Sequence, residues 1–247
     1  MDAVLVGLGE VGRALYEVLR RSHDIYPHDP ELALEARDDW YDLLLISFPY
    51  SLKFFDQVKE YQARFQTKAT VIFSTVPVGL SKELDAIHSP IEGRHDNMVG
   101  SIRLFPRFIG GGNLEQRKVV ADFFEQAGLN VIQVICSEAT EFAKLQSLAI
   151  YGINIEWARH CGKVMAELGI NQEWLTLYNH EYNKLVEANG QSQFCRYNLD
   201  PPEGVIGGHC VLQNMDLLNQ QYPHPLSGVV LDLNKLLKIE EDHDGDN

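Results

Sequence analysis

Three glycines near the amino terminus, Gly7, Gly9 and Gly12, carry the most legible chemistry in the chain. They stand in Gly7-Leu8-Gly9-Glu10-Val11-Gly12, after the apolar run Ala3–Val6 and before a helical pattern that continues to about Arg21. In that setting the first glycine allows a tight turn and the second lets the backbone approach a pyrophosphate. The third lets the helix pack close to the sheet. The N-terminus of the helix then offers N–H groups and a favourable dipole to the phosphates. Asp29 ends a second strand near Asp24–His28, about 20 residues beyond the turn, where a carboxylate takes the adenosine ribose hydroxyls and repels a 2′-phosphate. The spacing predicts NAD rather than NADP, held by Gly7, Leu8, Gly9, Glu10, Val11, Gly12 and Asp29. The alternative is that the glycines serve only an ordinary turn. Glu10 is discordant, because its carboxylate lies near the expected phosphates unless it settles along the helix N-terminus, where the dipole favours it.

A second group of residues has the types that act on a substrate. Cys210 follows Gly207, Gly208 and His209, a glycine pair that can expose it, and His209 or Lys144 could lower the pKa of its thiol. A thiolate suits an alcohol-to-acid oxidation, which has to trap an aldehyde between two hydride transfers. The alternative is a buried structural thiol. Lys144 has apolar neighbours, Phe142, Ala143 and Leu145, which suggest a place at a domain interface where an ammonium can polarise a hydroxyl or oxyanion. Arg94, His95, Arg103 and Arg107 form a basic cluster. Arg94 and His95 are candidates to hold a substrate phosphate or carboxylate, with surface ion pairs as the equal alternative. His88, His95 and Asp96 lack a spacing that imposes metal geometry, so no metal is expected.

These residues need a scaffold, and the chain alternates as an α/β scaffold should. Asp42–Phe48 and Thr70–Ser74 are nearly continuous apolar runs, as strands covered on both faces are. An amphipathic helix lies between them around Leu52–Phe65, so the pattern predicts a doubly wound parallel sheet of the Rossmann type. Residues Ile87–Ser101, rich in His, Pro, Gly and charge, read as a loop. A strand at Arg107–Gly111, a helix near Leu114–Ala127 and a strand at Asn130–Ile135 follow. From Ser137 the texture changes to one long helix over 137–168, with further helices at Gln172–Ala188, Val211–Gln220 and Pro225–Lys238. The expected division is a dinucleotide-binding domain over 1–136 and a helical substrate and dimerisation domain over 137–247.

The totals exclude several classes. A net charge of −14 over 247 residues disfavours a nucleic-acid partner. No apolar run approaches the roughly 20 residues that cross a bilayer, and the first residues read as a buried strand rather than a signal peptide. The four cysteines show no CxxC pairing, which fits reduced thiols in the cytoplasm. The apolar surface of the 137–168 helix suggests an interface and a two-fold homodimer.

Four further segments resemble nucleotide-sugar dehydrogenases of the UDP-glucose and UDP-N-acetylmannosamine type. They are Ser47-Phe48-Pro49, Ser74-Thr75-Val76-Pro77-Val78-Gly79, Thr140-Glu141-Phe142-Ala143-Lys144 and Gly207-Gly208-His209-Cys210. The resemblance spans most of residues 1–220 and implies a turn under the nicotinamide at Ser74, Thr75 and Val76. It also implies Lys144 and Cys210 as catalytic groups, with His209 and Asn214 beside the substrate, and a dimer built through the long helix. That family places Asn four residues after the Lys and Asp four residues after the Cys; here those positions are Leu148 and Asn214. It also has a third, C-terminal domain that would begin about where this sequence stops, so a truncated form is expected. A more distant resemblance is to 6-phosphogluconate and β-hydroxyacid dehydrogenases. Together these imply an NAD-dependent oxidoreductase acting on the hydroxyl of a sugar, sugar-nucleotide or hydroxyacid-type small molecule. A non-catalytic NAD-binding descendant is the alternative, because an amide at Asn214 cannot act as a base.

Overall fold

The computed structural model describes residues 1–206 and 210–244, with side chains to Lys238. Seven strands form one sheet: β1 Asp2–Val6, β2 Asp24–His28, β3 Trp40–Ile46, β4 Gln66–Ile72, β5 Ile87–His88, β6 Arg107–Gly111 and β7 Val131–Val134. Their order is β2-β1-β3-β4-β5-β6-β7. The chain steps outward from β1 to β2, then crosses to the other side of β1 for β3. The gap between β1 and β3 is therefore the switch point at which such sheets open a crevice for ligands.

The two faces of the sheet are covered because its strands are apolar on both. Ala3, Leu5, Leu43 and Leu45 join one core with Leu15, Val18 and Leu19 of helix α1 (Glu10–Leu19). Ile102 of α4 (Met98–Leu104) and Phe123 and Phe124 of α5 (Leu114–Gln126) complete it. The alternate residues Val4, Val6, Leu44 and Ile46 join a second core with Phe54 and Val58 of α2 (Phe54–Arg64). Leu84, which caps the short helix α3 (Leu80–Glu83), lies in that second core as well. This is the doubly wound Rossmann-type sheet, followed by helix.

Two expectations need correction. Residues 87–101 are not one loop, since β5 and the start of α4 lie within them. His88 and Ser89 are fully buried despite their polarity, which hid the strand. The sheet is also not wholly parallel, for β6 runs antiparallel to β5. The connection between them holds only the 3-10 turn His95–Asn97 and seven-residue α4, and it does not carry the chain back to the end of the sheet where β5 began. A parallel return needs such a crossover.

The register of the central strands sets the site. Val6 pairs with Ile46, Ile46 with Ile72, and Ile72 with His88, so four strands end in one row. One residue further on, the N–H of Ser47 donates to Val6 O, that of Phe73 to Ile46 O, and that of Ser89 to Ile72 O.

By its internal packing the chain divides into two units, Met1–Leu145 and Gln146–Asn247. The second begins within the 32-residue helix α6 (Ser137–Leu168) and holds α7 (Gln172–Ala188), α8 (Cys210–Gln221) and α9 (Pro225–Asp244). A Cβ on Gly152 of α6 would lie 3.0 Å from Val211, so the bare backbone lets α8 approach closely. No helix among the described residues is long and apolar enough to cross a membrane.

Candidate functional site

The turn after β1 is built to a tolerance that only glycine meets. Gly7 has φ +90°, and a Cβ there would stand 2.8 Å from the Phe48 nitrogen, while one on Gly12 would stand 2.0 Å from Gly7 O. Ser47 Oγ, at the end of β3, lies 2.7 Å from Gly7 O and 3.1 Å from Val6 O. The turn is thus clamped into the switch point. Gly9 differs, because nothing lies within 4 Å of the place a Cβ would take. It caps α1 with no side-chain hydrogen bond, so the helix opens onto free space. Leu8 is buried in the core and Val11 packs against it. Gly9, Glu10, Arg13, Ala14, Glu17 and Val99 line a surface groove of about 530 Å³.

Asp29 stands where the sequence predicted, after β2. Its Oδ2 accepts the N–H of Leu8 at 2.7 Å and its Oδ1 the N–H of Glu31 at 3.0 Å. The half-buried carboxylate therefore ties the glycine turn to the next loop. Each oxygen keeps a further lone pair for a hydroxyl.

The turn after β4 is held from two sides. Ser74 Oγ donates to Phe48 O at 2.5 Å, and Val76 is buried in the second core beneath half-buried Thr75. Glu141, fully buried in the first turns of α6, accepts the N–H of Gly79 at 2.7 Å and of Ser81 at 2.8 Å. Burial pushes its carboxyl above the usual range, and those two N–H groups hold it back only in part. His88 completes the support. Its Nδ1 lies 2.9 Å from Thr140 Oγ1 and its Nε2 3.3 Å from Ser74 O. Burial pushes its pKa down to about 3, and nearby Lys144 adds to the effect. The ring is therefore neutral, with one N–H to share between the two contacts.

Lys144 reaches the same edge of the sheet. Its Nζ donates to Ile91 O at 2.8 Å and pairs with Glu92 at 3.2 Å, largely shielded from solvent. Arg107 supports the same segment from behind, with guanidinium nitrogens 3.5 Å from Pro90 O and 3.3 Å from Phe105 O. It is wholly buried, and burial lowers its pKa to about 10. The expected basic cluster thus dissolves. Arg107 is internal, while exposed Arg94 pairs with Asp96 at 2.9 Å, the surface ion pair held open as the alternative. His95 instead meets Glu10, a residue that lines the groove, Nδ1 to Oε2 at 2.7 Å.

The remaining candidates belong to the second unit. Cys210 opens α8 and is exposed, and its carbonyl accepts the side-chain amide of Asn214 at 2.6 Å. Asn214 is buried and directs that amide within its own helix. His209 lies outside the described residues, as do Gly207 and Gly208.

The first unit therefore brings together the glycine turn, Asp29, the Ser74–Val76 turn and Lys144. Sequence reasoning missed the supports Glu92, His88, Thr140, Glu141 and Ser47. Thr140, Glu141 and Ser47 had a signal, since all three stand inside segments already singled out.

No protein-family model matches the chain, and no curated protein matches it. Solved structures do. The UDP-N-acetylmannosamine dehydrogenase of Pyrococcus horikoshii superposes with TM-score 0.73 at 14% identity, over 96% of this chain and 69% of that one. The 3-hydroxyisobutyrate dehydrogenase of Mycobacterium tuberculosis gives 0.69 at 13%, over 98% and 94%. The UDP-glucose dehydrogenase of Pyrobaculum islandicum gives 0.69 at 14%, over 95% and 68%. These are the two kinds of dehydrogenase that the motifs resemble, and at such identities the likeness establishes a shared fold.

Proposed function

We propose that the chain is an NAD-dependent oxidoreductase acting on the hydroxyl of a sugar, sugar-nucleotide or hydroxyacid-type substrate. One observation carries this reading: a helix N-terminus capped by open Gly9 with no side-chain hydrogen bond, with Asp29 anchored at Leu8, stands at the switch point of the sheet, and Lys144 of α6 is fastened to the segment after β5. Backbone N–H groups there suit a pyrophosphate, and Asp29 suits unphosphorylated ribose hydroxyls. When bound, NAD would supply the hydride acceptor. Gly7, Leu8, Gly9, Glu10, Val11, Gly12 and Asp29 would hold its adenosine and phosphate part, and Ser74, Thr75 and Val76 its nicotinamide end. Lys144 would orient the substrate hydroxyl and steady the charge on its oxygen as hydride departs. Cys210 is assigned the thiol that traps an aldehyde if a second oxidation follows, with His209 and Asn214 beside the substrate.

Titration calorimetry with NAD and NADP tests the cofactor. A screen of NAD reduction across nucleotide sugars, sugar phosphates and hydroxyacids tests the reaction, with Lys144→Met expected to bind NAD yet transfer no hydride. Absence of binding by either dinucleotide would sink the reading. A second reading, a non-catalytic NAD-binding protein, draws on Asn214, whose amide is spent on Cys210 O and offers no base. Binding without turnover across the whole screen would select it. The exposed Trp157, Leu168, Trp174 and Tyr178 support a homodimer that covers this apolar surface, and light scattering showing a monomer at micromolar concentration would contradict it.

A further inference from the structure

Glu10 is the residue of the glycine turn that the dinucleotide reading leaves unexplained. It is the first residue of α1 and lines the groove at Gly9, so its carboxylate sits at the end of the helix where a pyrophosphate would lie. Two phosphates and a carboxylate cannot share that place without repulsion. The structure supplies a partner from 85 residues away: His95 Nδ1 approaches Glu10 Oε2 to 2.7 Å, with both side chains substantially exposed. Histidine is the one side chain whose ordinary titration falls between about pH 5 and 8. Protonated, the imidazole in contact with Glu10 offers the groove a cation, and neutral it offers none.

The surrounding charges do not substitute for it. On α1, Arg13 points its Nε to Leu8 O at 2.8 Å, and Glu17 pairs with Arg21 at 3.7 Å. On the turn that carries His95, Arg94 is bound to Asp96 through two hydrogen bonds. Helix α4, which packs on α1, bears one charged residue, exposed Arg103.

We propose that Glu10 and His95 form a proton-linked gate on the phosphate end of the site: a dinucleotide binds with uptake of a proton at His95. This rests on the dinucleotide reading above. The imidazole gains a proton from solvent, the resulting cation offsets Glu10 and faces the pyrophosphate, and release of the dinucleotide returns the proton. Affinity for any ligand carrying a pyrophosphate then falls as the pH rises. Between exposed charges at such distances the effect is about three- to tenfold, and less at high salt.

Titration calorimetry of the full chain with NAD, at about pH 6 and about pH 8 and in two buffers of unlike ionisation enthalpy, reads both affinity and protons. The wild type is expected to bind about three- to tenfold more weakly at the higher pH, with a fraction of a proton taken up. His95→Asn is expected to lose the uptake and the pH dependence, and Glu10→Gln to bind more tightly than wild type at the higher pH. Both positions are exposed, so thermal melts should match the wild type and exclude misfolding. NAD binding with no proton uptake, or with a slope that survives His95→Asn, overturns the gate and leaves the dinucleotide reading standing. Absence of binding by wild type and Glu10→Gln at both pH values overturns both.

Discussion

Acid should weaken the first unit through His88, and the size of the effect follows from its surroundings. The ring is wholly buried between Thr140 and the carbonyl of Ser74, and its pKa lies at about 3 against an ordinary 6.5. The unfolded chain takes up a proton at this residue near pH 6.5 and the folded chain does not. Stability conferred by the neutral ring is thus complete above pH 6.5 and is lost as the pH falls towards 3. Each tenfold difference in proton affinity is worth about 1.4 kcal/mol, so the loss grows by that amount per pH unit, to an upper limit of about 5 kcal/mol. That is comparable to the whole stability of many domains, about 5–15 kcal/mol. His23 and His28 are also lowered by burial and add to the same trend, so the wild type alone cannot apportion it. The comparison with His88→Gln does. Urea unfolding followed by circular dichroism should show the wild type ahead at pH 7.5, with the advantage shrinking by about 2 kcal/mol between pH 6.5 and 5. An advantage that stays constant over that interval would refute a buried neutral His88.

Asp29→Ala should weaken NAD and narrow its advantage over NADP in titration calorimetry. It should also cost about 1–3 kcal/mol in urea unfolding, because the N–H groups of Leu8 and Glu31 lose their acceptor. Gly12→Ala places a carbon 2.0 Å from Gly7 O, so it should lower the melting temperature and abolish dinucleotide binding, whereas Gly9→Ala, with open space, should fold normally. Cys210→Ser should abolish net acid formation and keep part of the first hydride transfer if a covalent route operates. Unchanged product analysis would mean a single oxidation.

The parts of the fold legible in the sequence are those whose pattern is local. Leu43–Ile46 and Val71–Phe73 are apolar at successive positions because both faces of their strands are covered. The helix over 137–168 announces itself by length and by the absence of proline, and the glycine turn by its strand and helix context. β5 escaped because it is two residues long and one of them is His88, a polar residue made tolerable by Thr140. The supports of the site escaped for a different reason. Glu141 meets Gly79 across 62 residues, Lys144 meets Ile91 across 53, and His95 meets Glu10 across 85. A single sequence shows those side chains as ordinary polar groups until the fold brings their partners to them. Arg107 shows the converse, a cation that reads as part of a surface cluster and is internal, where it serves two backbone carbonyls.

Within five residues the first turns of α6 bear on strand β5, on the start of α3 and on the segment that follows β5. Thr140 meets His88, Glu141 grips the turn at Gly79 and Ser81, and Lys144 fastens the segment at Ile91 and Glu92. Mechanically this stretch is a comb whose teeth hold the three contacts in step, so none can swing without straining the others through a stiff rod. Slackening introduced at one tooth, as by Glu141→Gln, should travel to the next as faster hydrogen exchange at Ser89, the residue after His88. A ligand that settles one of these contacts would by the same linkage quieten all three.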